Sequence, residues 1–361
     1  MIKNDSTIYH PIGAGSNVYK TCFLDYINGQ LSKKKVLISI GAQPNSIPHF
    51  GTLIVFNLAF SLAKILMEKY PDKECKVLFE MVDTAPSYVS IINGTEYQRS
   101  LKSDGLKYLS VYKKLLSELS GIHGVEHLIR GQAEFNRSPH MLSIINKIIN
   151  NRNDICNYLA PDTKNLRIRI ACPQCGLSDK KAKYLSFKGD RVYSYCPKHG
   201  EYCIDYKKDI SLLEYNTPLR NLIRVLLYMN ENLDDNIDYE WIRITGSDYA
   251  GFYQEQTLYR TVACLGYHVN KLPLIIYSPL VIDWSGAKLS KSIYLKNNAY
   301  NDLPPYLLDY EKLKEKFGDN GLKLLAKETD EWIRSPYKLF RSYSVDYFKY
   351  IFEKNEVNLC E

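Results

Sequence analysis

No uninterrupted apolar stretch in the 361 residues reaches the roughly 18–20 positions that would span a bilayer, so no membrane partner is expected. The opening residues, Met1-Ile2-Lys3-Asn4-Asp5, are polar and lead into no apolar run with a small-residue cleavage site. A secretory leader is therefore not expected, and the cytoplasm is the expected compartment. No internal repeat recurs, and the Asn-rich patches are too short to be disordered tracts. Charge is not extreme either: a formal net charge of +7 suits a polyanion such as RNA without requiring one, and nothing points to DNA. Nine cysteines are present, four of them between Cys172 and Cys203. Without a leader, such a local cluster argues for a metal rather than a disulfide framework. The scattered five, Cys22, Cys75, Cys156, Cys264 and Cys360, read as ordinary small residues.

What is present has an α/β pattern. Residues 36–42, Val-Leu-Ile-Ser-Ile-Gly-Ala, form a short apolar run predicted as a strand, and Gly51 to about Tyr70 carries helical periodicity. A second strand is predicted over Lys76 to Met81; strand, turn, helix, strand opens a parallel sheet. The stretch from Tyr97 to about Leu159 reads as amphipathic helix, as do 209–230 and the tyrosine-rich last 60 or so residues. Further strands are predicted at Trp241 to Thr245 and Leu274 to Tyr277.

The turn Pro44-Asn45-Ser46-Ile47-Pro48-His49-Phe50-Gly51-Thr52 joins the first strand to the first long helix. A helix start offers unpaired N–H groups and a positive dipole end, which suit the phosphates of ATP. His49 can donate to a phosphate oxygen, and Gly51 lets a nucleotide lie against the backbone. Far downstream, Gly286-Ala287-Lys288-Leu289-Ser290-Lys291-Ser292 sets two lysines three apart on a short loop, able to bracket a triphosphate. In-line adenylyl transfer is catalysed mostly by positioning and charge neutralisation, which ammonium groups supply. Either turn alone is matched by an ordinary solvated loop. Between them, Ile244-Thr245-Gly246-Ser247-Asp248 puts a glycine and a carboxylate at a strand end, where open α/β sheets bind ligands.

Cys172-Pro173-Gln174-Cys175-Gly176 and Cys196-Pro197-Lys198-His199-Gly200 share one grammar: ligand, proline, any residue, ligand, glycine. Two such knuckles give the four ligands of a structural Zn2+ site, with Cys203 as a rival to His199. Four protein ligands leave no open position for catalysis.

The paired stretches His49-Phe50-Gly51-Thr52 and Lys288-Leu289-Ser290-Lys291-Ser292 resemble the two signature motifs of class I aminoacyl-tRNA synthetases, with Pro44-Asn45 as the usual lead-in. Leucine stands for methionine in the second, and Thr52 replaces the closing histidine of the first while keeping a donor. The zinc-ribbon insertion, Ile129 to Phe135 running on to Asn153-Asp154-Ile155, and Tyr239-Glu240-Trp241-Ile242 are similar to class I lysyl-tRNA synthetases over roughly residues 35–295. Residues 212–224 depart from that family, although Pro218 and Arg220 remain.

The resemblance implies a Rossmann-like parallel sheet in two halves, 1–165 and 209–300, a zinc ribbon at 166–208 and a short helical region at 301–361. It implies ATP with Mg2+, activation of an amino acid, lysine foremost, as an adenylate, and transfer to tRNA. His49, Thr52, Lys288 and Lys291 would be catalytic; Pro44, Asn45, Gly51, Gly246, Asp248, Ser290 and Ser292 would hold the nucleotide, Gly246 and Asp248 at the ribose. Glu80, Asp83, Tyr249 and Gln254 are the candidates for the amino-acid pocket. About 70 residues follow the lysine loop, little room for that family's large anticodon-binding domain, so the tRNA acceptor stem is the expected contact. A non-tRNA acceptor, or a non-catalytic RNA-binding relative, are the alternatives.

Overall fold

A computed structural model describes residues 22–251, 254–289 and 302–357, the side chains of 355–357 excepted. The chain begins with α1 (Phe23–Gly29), β1 (Lys35–Ala42), α2 (Phe50–Lys69) and β2 (Glu74–Met81). A hairpin, β3 (Pro86–Ile92) and β4 (Thr95–Ser100), precedes α3 (Leu109–His123), β5 (His127–Arg130) and three short helices, α4 (Gln132–Asn136), α5 (Met141–Asn150) and α6 (Arg152–Leu159). The cysteine-rich part holds β6 (Ile168–Ile170), β7 (Ser178–Asp179), β8 (Ser186–Lys188), β9 (Arg191–Cys196), β10 (Gly200–Asp205) and β11 (Leu213–Tyr215). Then come α7 (Leu219–Leu233), β12 (Tyr239–Gly246), α8 (Thr261–Cys264), β13 (Leu274–Ser278) and β14 (Val281–Ile282). The last part contains α9 (Tyr310–Phe317), α10 (Asp319–Arg334), α11 (Pro336–Leu339), β15 (Tyr343–Ser344) and α12 (Val345–Val357).

Five parallel strands form the central sheet in the order β13-β12-β1-β2-β5. The chain winds from β1 outward to β2 and β5, then returns to the other side of β1 through β12 and β13. The switch point therefore falls between β1 and β12, and ligands of such sheets bind outside the carboxyl ends there. Both faces are covered, which is why the strands read as continuous apolar runs. Val36, Ile38, Ile40, Ile242 and Ile244 face the layer of α2. Leu37 and Trp241 face the layer of α7, where Tyr228 stacks on Trp241 at 4.1 Å.

The helix α2 is buried on nearly every side, because the C-terminal helices cover what the sheet leaves open. Ser61 and Thr329 of α10 share a hydrogen bond of 2.7 Å, Lys64 pairs with Asp330 at 2.7 Å, and Phe50 meets Phe348 of α12 edge-on at 5.0 Å. Residues 302–357 thus complete the core instead of standing beside it. By length and mean hydropathy α2 is apolar enough to cross a membrane, although Asn57, Ser61 and Lys64 interrupt its apolar run; 78% of that window is buried inside the protein, which accounts for its composition.

Two segments expected to be helical are strands. β4 occupies 95–100 and β5 occupies 127–130, so Ile129 and Arg130 end a sheet strand and the helix begins only at Gln132. Four residues are too few to show a period, and β4 lies in a small sheet with β3 and β7, buried on several positions of both faces. Likewise β11 precedes α7 within the stretch read as helix.

One buried ionisable group couples this core to pH. His123, at the end of α3, lies against Phe60 at 5.9 Å with its side chain 1% exposed. Burial pushes its pKa down to about 4, although Asp330 at 3.8 Å pulls the other way. The imidazole is thus neutral in the fold and charges more easily in the unfolded chain. Stability from this group is complete above the ordinary value of 6.5 and is lost as pH falls toward 4, by up to about 3 kcal/mol. Urea unfolding at pH 7 and pH 5 is expected to show a smaller loss in His123→Gln than in the parent chain; equal losses would contradict the assignment.

Candidate active site

A cavity of about 730 Å³ opens at the carboxyl edge of the sheet over the β1–β12 switch point. One wall is the turn after β1 and the first turn of α2. His49 is the residue before the helix, in an extended conformation, and its carbonyl accepts from Thr52 N at 2.8 Å. Its ring lies across Gly51, where an added Cβ would come within 3.0 Å of Cε1. The absence of a side chain there lets the imidazole fold over the helix start. The turn is fixed from behind by the C-terminal segment: Phe50 N donates to Leu308 O and Tyr310 N to Pro48 O, both at 2.9 Å. Asn45, Gly51 and Thr52 border the cavity, whereas Pro44 is buried beneath its rim.

The facing wall comes from the end of β12 and the turn after β14. Gly246 lies against the Asp248 carboxylate, which leaves no space for a side chain at 246. Asp283 N donates to Ala287 O and Leu289 N to Val281 O, each at 2.8 Å, so a tight turn carries Lys288 back across the cavity. Its Nζ meets Asp248 Oδ2 at 2.7 Å with both side chains partly exposed. His49, Thr52, Gly246, Asp248 and Lys288, distant in sequence, thus line one space. Ser290, Lys291 and Ser292 lie outside the described residues.

The third wall belongs to α7. Arg220, Asn221 and Arg224 project from it, and Arg243 joins them from β12. Strand alternation puts Arg243 on the α7 side, where its guanidinium donates to Asn221 Oδ1 at 3.3 Å. Burial, then the charges of Arg169 and Arg224, pushes the Arg220 pKa down to about 9; burial and Arg224 push Arg243 down to about 10. The sequence expectation noted only Arg220, and for its resemblance. A better signal was available: a charge inside an element otherwise apolar all round, as in Trp241-Ile242-Arg243-Ile244, has to be buried with a purpose.

Of the four residues expected in the amino-acid pocket, Tyr249 alone borders the cavity. Glu80 is engaged elsewhere: Arg130 donates to both its oxygens and Tyr228 Oη donates at 2.9 Å. Burial alone would raise its pKa, yet Arg130 and Arg224 hold it below the usual range, so it is an internal counter-ion. Asp83 accepts from Gln132 N at 3.3 Å at the start of α4, and burial pushes its pKa up. Gln254 is buried and donates to Tyr259 Oη at 2.6 Å.

Apart from this cavity, Cys172, Cys175, Cys196 and His199 bring their ligand atoms within 4.8 Å of one another. Cys172 Sγ to His199 Nδ1, Cys196 Sγ to His199 Nδ1 and Cys175 Sγ to Cys196 Sγ are each 3.5 Å. A tetrahedral ion with bonds of about 2.3 Å to sulfur and about 2.0 Å to nitrogen needs edges near these lengths. Gly176 and Gly200 close the knuckles at φ +71° and +79°, a region glycine enters without strain. Cys203, the rival ligand, pairs across to Tyr193 in the hairpin and is not in the cluster. The module also recruits the β3–β4 hairpin: β4 pairs with β7, Tyr97 packs beside Cys172 and Cys196, and Arg99 Nε donates to Cys175 O at 3.2 Å.

No family model matches the chain, and the search of curated proteins found no match to it. Among solved structures, a putative arginyl-tRNA synthetase from Campylobacter jejuni is 10% identical with a TM-score of 0.36, covering 86% of this chain and 67% of its own. A glutamate-tRNA synthetase from Elizabethkingia anophelis is 11% identical with a TM-score of 0.35, over 73% of this chain and 54% of its own. An arginyl-tRNA synthetase from Plasmodium falciparum is 11% identical with a TM-score of 0.36, over 82% and 51%. The chain thus spans about half to two thirds of the length of these proteins. Likeness of this order carries no argument about chemistry; the parallel sheet and the cavity rest on the chain's own residues.

Metal analysis of the purified protein is expected to find close to one thiophilic ion per chain, lost in Cys196→Ser. An intact ion content in that variant would move the site elsewhere.

Proposed function

We propose that the chain activates an amino acid with MgATP, forming an aminoacyl-adenylate and pyrophosphate, and passes the acyl group to tRNA. One observation carries the reading: His49 at the start of α2 and Lys288 on the turn after β14 border the same cavity at the switch point of the sheet. Both residues suit a triphosphate. His49 would donate to a phosphate oxygen beside the N–H groups of the first turn. Lys288, paired with Asp248, would turn to the phosphates as charge develops on the leaving pyrophosphate. Asp248 is then released to accept from a ribose hydroxyl. Mg2+ would neutralise the remaining phosphate charge, which is the chemistry it supplies when bound. The cysteine cluster would hold Zn2+ as a structural ion, since its four protein ligands fill a tetrahedral shell.

A second acceptor class has one observation in its favour. The described C-terminal helices are committed to covering α2 and to pinning the His49 turn, so they do not offer a separate RNA-reading unit. A small molecule or protein acceptor would use the same first half-reaction. Lysine, the amino acid that the resemblance implies, would need a carboxylate for its side chain. Among the described residues Asp248 is the one carboxylate bordering the cavity, and Lys288 meets it.

The test is amino-acid-dependent exchange of pyrophosphate into ATP. The parent chain is expected to show it, and His49→Asn and Lys288→Ala are each expected to lose about 100-fold or more. Undiminished exchange in both variants would remove the assignment. Exchange without charging of a total-tRNA pool would favour the second acceptor class.

A further inference from the structure

The cavity has two ends of different character. His49, Thr52 and Lys288 border one, on the α2 side of the sheet; Arg220, Arg224 and Arg243 border the other, on the α7 side. The three arginines are only 5–7% exposed, so their charges lie out of bulk water. Buried charges are ordinarily paired, because a carboxylate has to replace the lost hydration. Here the protein supplies none within ion-pair reach, among the described residues. Arg220 donates to Thr84 Oγ1 at 2.9 Å and to the Tyr215 carbonyl, while Arg224 and Arg243 share Asn221 Oδ1 at 3.2 and 3.3 Å. Arg220 Nε, Arg224 Nε and one terminal nitrogen of Arg243 are buried with no partner.

The acids nearby are already taken. Glu80 answers Arg130, and Glu214 answers Arg169 at 3.3 Å and Lys102 at 2.9 Å. Asp83 accepts from the backbone of Gln132 and borders no part of the cavity. The depressed pKa values of Arg220 and Arg243 fit the same picture, guanidiniums crowded together away from solvent. A triphosphate would not need this wall, since the helix start and Lys288 face it from the α2 side. A cationic side chain would meet three like charges here.

We infer that the arginine wall receives a carboxylate, so that the substrate activated at this site is an acidic amino acid and not lysine. The inference rests on the adenylation reading and names its substrate class. Planar guanidiniums present paired N–H donors that match the two oxygens of a carboxylate, and Asn221, itself within reach of two of them, holds them in register. The α-carboxylate would then lie toward His49 and Lys288, where the acyl phosphate bond forms as pyrophosphate leaves. A neutral or basic side chain would leave the guanidiniums unpaired, which is the strongest form of rejection available to a site.

The experiment combines two measurements on the full chain: pyrophosphate exchange with L-glutamate, L-aspartate and L-lysine in turn, and calorimetric binding of the same three in the presence of Mg2+ and α,β-methylene-ATP. Exchange is expected with glutamate or aspartate, at least about 100-fold above lysine. In Arg224→Gln the KM for the acidic amino acid should rise about tenfold or more while the KM for ATP stays within about twofold. Exchange driven by lysine or by a neutral amino acid would overturn the inference and leave adenylation standing. A raised KM for ATP with an unchanged amino-acid KM would also overturn it, giving the guanidiniums to the phosphates. If no amino acid drives exchange, the adenylation reading fails and the calorimetry decides: binding of an acidic but not a basic amino acid supports the wall's role, and its absence refutes it. Should Arg224→Gln not fold, the selectivity of the parent chain remains the test.

Discussion

Three guanidiniums gathered under the carboxyl edge of a sheet are held together against their own repulsion. Arg220 and Arg224 cannot retreat to solvent, because α7 is buried along almost its whole length against Trp241, α5 and the underside of the sheet. Arg243 is fixed by its register opposite Ser39, the last pair at the carboxyl end of the β1–β12 ladder. The cost of this arrangement is carried by the apolar layers on either side, and a bound anion would reduce it. Much else in the structure follows from the need to keep that edge open while closing the sheet everywhere else.

The closure is divided between two layers. On one side α7 and the short helices α5 and α6 form a core that extends to the cysteine module. On the other, α2 would expose a long apolar surface if α3 alone covered it, and α10 and α12 fill the gap. The same C-terminal segment pins the turn before α2 through the backbone of Pro48 and Phe50. Placement of His49 therefore depends on residues more than 250 positions away in sequence, 308 and 310. The short helical C-terminal region is in this way part of the site's scaffold.

Legibility in the sequence followed the length of each signal. β1, the turn, α2 and β2 were readable because a long apolar period follows a cluster of turn residues, and the cysteine knuckles because ligand, proline and glycine recur at fixed spacing. β5 was not readable: four residues show no period, and its strand character comes from pairing with β2. β4 was not read as a strand although Asn93-Gly94 joins it to β3 in a two-residue hairpin turn; only its second partner, β7, lies about 80 residues onward. Glu80, expected as a pocket carboxylate, lies instead against Arg130 and does not border the cavity. A carboxylate at a strand end reads the same whether it faces a ligand or an arginine, and Arg130 on the neighbouring strand decided the matter. The arginine wall is marked in the sequence by charges inside the apolar periods of α7 and β12, a signal that does not itself say which ligand the charges await.

The proposed activity divides labour across one cavity, phosphates on the α2 side and a carboxylate on the α7 side. A crystal structure with α,β-methylene-ATP and Mg2+ tests it most directly. The triphosphate is expected at the first turn of α2, with His49 and Lys288 within hydrogen-bond reach of its oxygens and the guanidiniums of Arg220, Arg224 and Arg243 free of phosphate. A triphosphate seated on those three arginines, with His49 facing solvent, would contradict it.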